Sequence, residues 1–448
     1  MFIFYDTETS SRDLLGQILT YAFWVVDDTY TVLEKCEGKI RLNRTQLPEV
    51  EAILVNRIQL DELQATGDHE YGAAHKLFEF LNRVVETAQT ATLVGFNSNQ
   101  FDLQFLRNLL IRYGYNPYFF GRLKNLDVLH FCRWVALENP DTFLWQEEVS
   151  ERGEPYFSFK LEKLATAYGV LTGEQAHDAS ADVLVTIDLV KVLESRYNVS
   201  LKTFKPIDIQ FPDGELPFSS IAKQKTVVGP IFWAPFLTRK KEQVLLNLCA
   251  YANRELESSL MACLKYVNVN KHFLILERPT PAEEMLWEQV LETASQDPEL
   301  CAISSMDLYF EKIKKSWDIE YQIHEMGFDR ISILGQAVSR LIASPQSYEG
   351  ELARMLSHWK AFGKSPKDTA LLQLYNRAYL NWHPSPKPED FRKYLVPRYV
   401  TGDLLRNPED CVPFDVRFQQ LRTQVERMPE DEILQGLWRY YQAFQSLF

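Results

Sequence analysis

Long apolar runs are missing from this sequence. No window of its 448 residues approaches the ~20 consecutive apolar residues that a membrane-spanning helix needs. The start, MFIFYDTETS, meets an acidic residue too early for a secretory leader. Cysteine is also scarce: Cys36, Cys132, Cys249, Cys263, Cys301 and Cys411 lie far apart, with no C-x-x-C pair and no histidine at zinc-ligand spacing. That excludes a disulfide framework and a structural zinc site, and leaves reduced thiols in the core of a cytoplasmic protein. Basic charge is short too. Lys and Arg number 48 against 61 Asp and Glu, a net charge of −13, which argues against a simple basic nucleic-acid binder because phosphate contacts need cations. Neither a low-complexity tract nor an internal repeat is visible.

The acidic excess is unevenly placed. Residues 1–200 carry 18 basic and 29 acidic side chains (net −11), whereas residues 201–448 carry 30 and 32 (net −2). Carboxylates gathered around metal ions would explain part of the first excess, so overall charge leaves the partner open. What is present is a soluble, globular composition with 46% hydrophobic, 24% charged and 13% aromatic residues. A chain of this length implies two or three domains.

The start reads as a β-meander: FIFYD, then Gln17 to Val26, then TYTVLEKC beyond the turn-like Asp27-Asp28. From His69 to Ala88, Leu77, Leu81, Val84 and Val85 recur at helical spacing. The short apolar strand Ala91 to Asn97 leads into a helix from about Phe101 to Tyr113, stopped by Gly114. Such alternation predicts an α/β domain, closed by helical stretches at Ser158 to Val170 and Ala179 to Tyr197. After the proline-rich Thr203 to Ser220, residues 221–275 read as strand-rich and the remainder as mostly helical. In the last segment Ile433, Leu437, Tyr440, Tyr441 and Phe444 mark one helix face.

Chemistry concentrates in a few carboxylates. Asp6 and Glu8 stand two apart at the end of the first strand, and residues i and i+2 of a strand project to one side. Asp102 opens a helix after the loop Asn97 to Gln100, where it could equally act as an ordinary N-terminal cap. In His177-Asp178-Ala179-Ser180-Ala181-Asp182, residues five apart on a helix differ by about 140° around its axis. His177 and Asp182 therefore converge only if His177 precedes the helix, with Asp178 as N-cap and Asp182 one turn in. Asp188 is expected to face solvent. Several carboxylates from separate segments beside one histidine match phosphodiester hydrolysis by two metal ions, and hard oxygen ligands favour Mg²⁺ or Mn²⁺. Histidine suits removal of a proton from the attacking water.

D-x-E, then G-F-N-x-x-x-F-D, then H-D-A-x-A-D, in that order, resemble the DEDDh exonucleases related to the proofreading subunit of DNA polymerase III. Within that superfamily the sequence is most similar to bacterial exonuclease I. Leu47 to Ile58, FDLQFLRNLL, FSFKLEKL, Leu372 to Tyr379 and ILQGLWRYY carry the narrower match, which is thin from about 221 to 345. The resemblance implies an RNase H-like (DnaQ-like) exonuclease domain with a mixed sheet at 1–200. A small SH3-like, β-rich domain at 201–345 and an α-helical C-terminal domain at 346–448 follow. It implies a monomer that degrades single-stranded DNA 3′-to-5′ to 5′-mononucleotides, and that binds the C-terminal tail of single-stranded DNA-binding protein (SSB). Asp6, Glu8 and Asp182 would be metal ligands for two Mg²⁺ ions, with Mn²⁺ a substitute; Asp102 would assist the second ion and His177 would be the general base. Glu8, Lys160, Arg107 and Tyr118 would contact substrate.

Two departures stand out. Lys160 occupies a position usually held by arginine, which implies a less directional phosphate contact. SSRDLLGQILT replaces a longer G-T and D-R-P-A-Q stretch after Glu8, so contacts from that loop are expected to differ. Lys223 with Lys225, Arg239 to Lys241, and Lys312 with Lys314 and Lys315 are the candidate basic clusters, although charge runs are usually solvated faces. The remaining histidines are expected to be structural, and Trp134, Trp145, Trp233 and Trp438 to be core. Two other readings compete: an exoribonuclease or proofreading nuclease of the same superfamily, and a non-catalytic single-stranded-DNA-binding protein. About 250 residues beyond the catalytic segment speak against a minimal ribonuclease, and the intact set of five side chains speaks against a silent one.

Overall fold

The computed structural model describes residues 1–448 except 151–152, 154, 172–177, 205–220, 227–228, 240–241, 255–258, 269–278, 314–317, 324–325, 363–365 and 406. Within its helices and strands, the side chains of 224–226, 268, 313, 358–359, 361–362 and 366–367 are likewise outside the description. The chain divides into two compact units. The first comprises Met1–Leu126, Gln175–Ile187 and Lys315–Phe448; the second comprises Asp127–Glu174 and Asp188–Lys314.

The first unit is built on a sheet of five strands in the order β3-β2-β1-β4-β5: β1 (Phe2–Thr9), β2 (Ile18–Val26), β3 (Val32–Lys39), β4 (Ala91–Gly95) and β5 (Leu123–Asp127). The first three form the expected antiparallel meander, whereas β4 runs parallel to β1 with Phe2 opposite Thr92 and Phe4 opposite Val94. The sheet is therefore mixed. Ile3, Phe4 and Tyr5 are all buried, because central β1 is covered on both faces; in edge strand β3 only Cys36 is buried. Because β1 and β4 are parallel neighbours, their carboxyl ends lie together, which is where open α/β sheets place ligands.

The helix Glu70–Ala88 returns the chain from β3 to β4. Its buried Ala73, Ala74, Leu77, Phe80, Leu81, Val84 and Val85 form a stripe of helical period, as the sequence predicts. Helices Phe328–Ala343, Pro366–Trp382, Pro388–Tyr399, Phe414–Arg427 and Glu432–Gln445 share one continuous core with these elements. Backbone meets backbone where Gly114 (φ +80°) follows the helix Asp102–Arg112. A Cβ there would fall on Gly335, so position 114 needs glycine for contact as well as conformation, while Gly335, inside its helix, is tight only because of this close approach.

Charge is buried at the same junction. Glu70 accepts from Arg377 Nη1 at 2.9 Å and Arg112 Nη1 at 3.2 Å, while Arg112 Nε donates to Glu320 at 2.8 Å and Arg377 Nε lies 3.2 Å from the same carboxylate. Tyr113 Oη and Asn43 Nδ2 also donate to Glu70. Four side chains from four helices thus neutralise one another out of water.

The second unit contains the hairpin β6 (Gln146–Val149) and β7 (Pro155–Ser158), and an antiparallel sheet β11-β10-β9-β8. The latter comprises β8 (Ala222–Thr226), β9 (Gly229–Arg239), β10 (Glu242–Asn247) and β11 (Leu264–Asn268), matching the expected small β-rich module. Pro235 lies within β9 beside a bulge at Phe236, which shifts the register against Val244 and Leu245 of β10. Phe232, Ala234, Phe236, Val244 and Leu246 pack with Leu291, Leu300 and Tyr309 as a separate core. Among the described residues no helix is long and apolar enough to cross a membrane.

Candidate active site

The strand period places Asp6 and Glu8 on one side of β1, with Thr7 between them pointing the other way. The helix Ala179–Tyr197 brings Asp182 to the same place. Its start is set as expected: Asp178 Oδ1 accepts from the backbone N–H groups of Ser180 and Ala181, both at 3.1 Å. One carboxylate oxygen from each of Asp6, Glu8 and Asp182 lies within 4.8 Å of the other two. That spacing suits a divalent cation and three hard oxygen donors.

The electrostatics agree. Asp6 is held well above the usual carboxylate range, first by withdrawal from water and then by the charges of Asp102, Glu8, Asp182 and Asp178. Glu8 is pushed up to about 8, again first by burial and then by Asp182, Asp102 and Asp178. Like charges this close cannot all ionise without a cation to divide them. The carboxylates therefore fit a metal by chemistry as well as geometry.

Asp102 does not act as the cap that the sequence left open. It is the first residue of its helix, with Phe101 at the cap position, and its Oδ1 accepts from the Thr7 hydroxyl at 2.6 Å and the Thr7 amide at 3.1 Å. Thr7 escaped the sequence reading because it looks like a spacer in D-x-E, yet it ties Asp102 to the strand carrying Asp6 and Glu8. Valine at position 7 keeps the shape and removes the hydroxyl donor. We expect Thr7→Val to lower metal-dependent activity about 10- to 100-fold, as loss of a group that orients a ligand does, with circular dichroism unchanged. Activity within twofold of the parent would assign the bond no orienting role.

His177 lies outside the described residues. Arg107, on the helix Asp102–Arg112, stands over the Tyr118 ring at 5.2 Å. Its Nε is buried without a hydrogen-bond partner among the described residues, and burial lowers its pKa, so this guanidinium is under-compensated. Tyr118 makes an edge contact with Phe328, its ring centroid 5.9 Å away. Nearby in sequence, Phe119 and Phe120 both adopt positive φ (45° and 55°), and Phe120 is 85% exposed. No sequence signal marked Phe120 or Phe328 beyond their being aromatic.

Lys160 belongs to the second unit, at the N-cap of helix Leu161–Ala167, exposed, with its Nζ 3.3 Å from Glu148. Asp188 is partly exposed and pairs with Lys191, as expected. Among the basic clusters, Lys223 pairs with Glu283, and Arg239 pairs with Glu242 and Asp307. The side chains of Lys225, Lys240, Lys241, Lys314 and Lys315 lie outside the description.

No family model matches the chain. Exodeoxyribonuclease I of Escherichia coli (strain K12) is 30% identical over 203 residues, covering 44% of this chain and 40% of that protein. Exodeoxyribonuclease I of Haemophilus influenzae is 31% identical over 157 residues, covering 34% and 30%. These matches span no more than about 40% of the length of the curated relatives. The crystal structure of E. coli exonuclease I with a dT13 oligonucleotide superposes with a TM-score of 0.66 at 19% identity, covering 99% of both chains. A zinc-bound form of the E. coli ExoI complex with single-stranded DNA and an ExoI/SSB-Ct complex each superpose with a TM-score of 0.66 at 18% identity. In sequence over part of its length, and in fold over nearly all of it, the chain is similar to bacterial exonuclease I.

Proposed function

We propose that the protein is a 3′-to-5′ exonuclease that hydrolyses single-stranded DNA to 5′-mononucleotides. The observation that carries this reading is the convergence of Asp6, Glu8 and Asp182, with Asp102 fastened beside them by Thr7. Two bound Mg²⁺ ions, or Mn²⁺ in their place, would lower the pKa of a water, neutralise phosphate charge and stabilise the leaving oxygen. Asp6, Glu8 and Asp182 would hold them and Asp102 would assist the second. Glu8 would also contact the terminal nucleotide. The new P–O bond forms as the bond to the 3′-oxygen of the preceding nucleotide breaks, leaving a 5′-phosphate on the product.

In sequence His177 directly precedes Asp178, whose carboxylate caps the helix. In this account His177 accepts the proton from the attacking water. His177→Ala should cost about 10² to 10⁴ in rate while leaving Mn²⁺ binding nearly intact; a variant that no longer binds Mn²⁺ would make His177 a ligand instead.

Arg107 and Tyr118 supply what a single strand requires, a cation for phosphate and a ring for a base. Lys160 is a third contact, made after release from Glu148. The C-terminal tail of SSB is the expected protein partner, and a monomer in the cytoplasm is the expected state. Divided by sequence, 1–200, 201–345 and 346–448 are the catalytic, β-rich and helical segments of this enzyme. The fold likeness to a protein solved with single-stranded DNA and with SSB-Ct supports these assignments. Single-stranded DNA, duplex DNA and RNA of equal length, incubated with the enzyme in Mg²⁺, test the substrate. Only single-stranded DNA should shorten, and preferential loss of RNA would replace this reading with an exoribonuclease.

A further inference from the structure

The structure assigns a second ligand site, for a nucleoside 5′-monophosphate, to a cleft of about 480 Å³ between Arg41, Arg44 and His69 on one wall and Tyr440, Phe444 and Leu447 of the terminal helix on the other. Its volume lies in the range of small-molecule sites. None of Asp6, Glu8, Asp102 and Asp182 lines it. Among the described residues, no other aspartate or glutamate lines it either, although the chain carries a net charge of −13.

No carboxylate pairs with either arginine of the cationic wall among the described residues. Arg41 has no side-chain hydrogen bond or ion pair among the described residues, and Arg44, which donates to the His383 carbonyl at 3.0 Å, meets no carboxylate among them. His69 is held at the rim against Trp382, ring centroids 4.8 Å apart. Burial, then Arg41 and Arg44, lower its pKa, and only Asp68 opposes them. Two guanidiniums that repel each other and a neighbouring imidazole are relieved by an anion, and guanidinium forks suit phosphate.

The terminal-helix side is largely apolar, with Tyr440 and Leu447 partly buried and Phe444 3% exposed. Tyr440 is fixed by donating to the carbonyls of Gln46 at 2.7 Å and Asn43 at 3.2 Å, and its ring is stacked 6.1 Å from that of Phe444. Inorganic phosphate would use only the first wall and a neutral nucleoside only the second. A nucleotide uses both. This inference stands on the cleft's own side chains and does not require the exonuclease reading.

Equilibrium binding to the full-length protein in EDTA tests it, with dAMP, deoxyadenosine and inorganic phosphate as probes. We expect dAMP to bind at least about 10-fold more tightly than either fragment, and Arg41→Gln and Arg44→Gln each to weaken it about 10-fold, as loss of a charge-assisted hydrogen bond does. Asp6→Asn should leave the affinity for dAMP unchanged. Arg41 is only partly buried and Arg44 is exposed, so either variant can serve if the other melts early. Absence of dAMP binding at millimolar concentration overturns the site, as does equal affinity in the parent and both arginine variants. Phosphate binding as well as dAMP removes the aromatic wall from the proposal and overturns its nucleotide specificity. Loss of binding in Asp6→Asn transfers the ligand to the carboxylate cluster and so also overturns it.

Discussion

Asparagine in place of Asp6 should raise the melting temperature of the metal-free protein at pH 8 while removing its metal-dependent activity. Both effects come from the same crowding of charge. Asp6 and Glu8 are raised above their ordinary values by burial and by each other's neighbours, Glu8 from 4.5 to about 8. A carboxyl raised in this way binds more protons folded than unfolded. Between pH 4.5 and about 8, metal-free stability therefore falls as pH rises. The Asp6→Asn substitution removes one of the repelling charges and flattens that slope. Saturating Mg²⁺ stabilises the parent by binding the folded state, increasingly as pH rises and protons leave its ligands. Activity should drop by at least the about 10²- to 10³-fold that loss of one electrostatic stabiliser of a transition state costs. Melting curves in EDTA at several pH values decide the matter. A lower melting temperature for Asp6→Asn at pH 8, or a parent whose metal-free stability is flat across this window, would contradict the account.

The second large effect concerns the buried charges far from the chemistry. Arg377→Ala should destabilise the protein by about 3–5 kcal/mol, because it leaves Glu70 and Glu320 out of water with only Arg112 between them. Glu70 is fully buried, yet its pKa falls to about 2: burial alone would raise it, and Arg377 and Arg112 with their hydrogen bonds reverse the sign. Its folded value is thus depressed. The stability it contributes is present above the ordinary 4.5 and is lost as pH falls toward about 2. In Arg377→Ala acid unfolding should begin at higher pH than in the parent. Urea titrations at pH 7 and pH 4 measure both parts, and a loss below about 1 kcal/mol at pH 7 would make the cluster merely a tolerated burial of charge.

What could be read in the sequence was local. The i, i+2 rule aligned Asp6 with Glu8, and the short side chains after Asp178 marked a helix start that the two bonds to its carboxylate now explain. Features joining distant segments were not legible. Thr7 and Asp102 are 95 residues apart and Glu70 and Arg377 are 307 apart, so nothing near either residue announces its partner. The hairpin β6–β7 was missed because QEEV offers too little apolar alternation to mark a strand. The helix expected from Ser158 begins only at Leu161, because β7 holds Pro155–Ser158, and ends at Ala167, before Gly169 at φ +71°. Sequence order also suggested three consecutive domains. The C-terminal helices share one core with the five-stranded sheet, through residues that read individually as ordinary helix faces.

The most direct test of the central claim, that the carboxylate cluster is a metal-dependent 3′-end nuclease, is digestion of 5′-labelled single-stranded DNA by the parent and by Asp182→Ala, in Mg²⁺ and in EDTA. The account predicts a ladder of labelled fragments shortening from the 3′ end, seen only for the parent in Mg²⁺. Labelled mononucleotide as the first product, a ladder that persists in EDTA, or undiminished digestion by Asp182→Ala would contradict it.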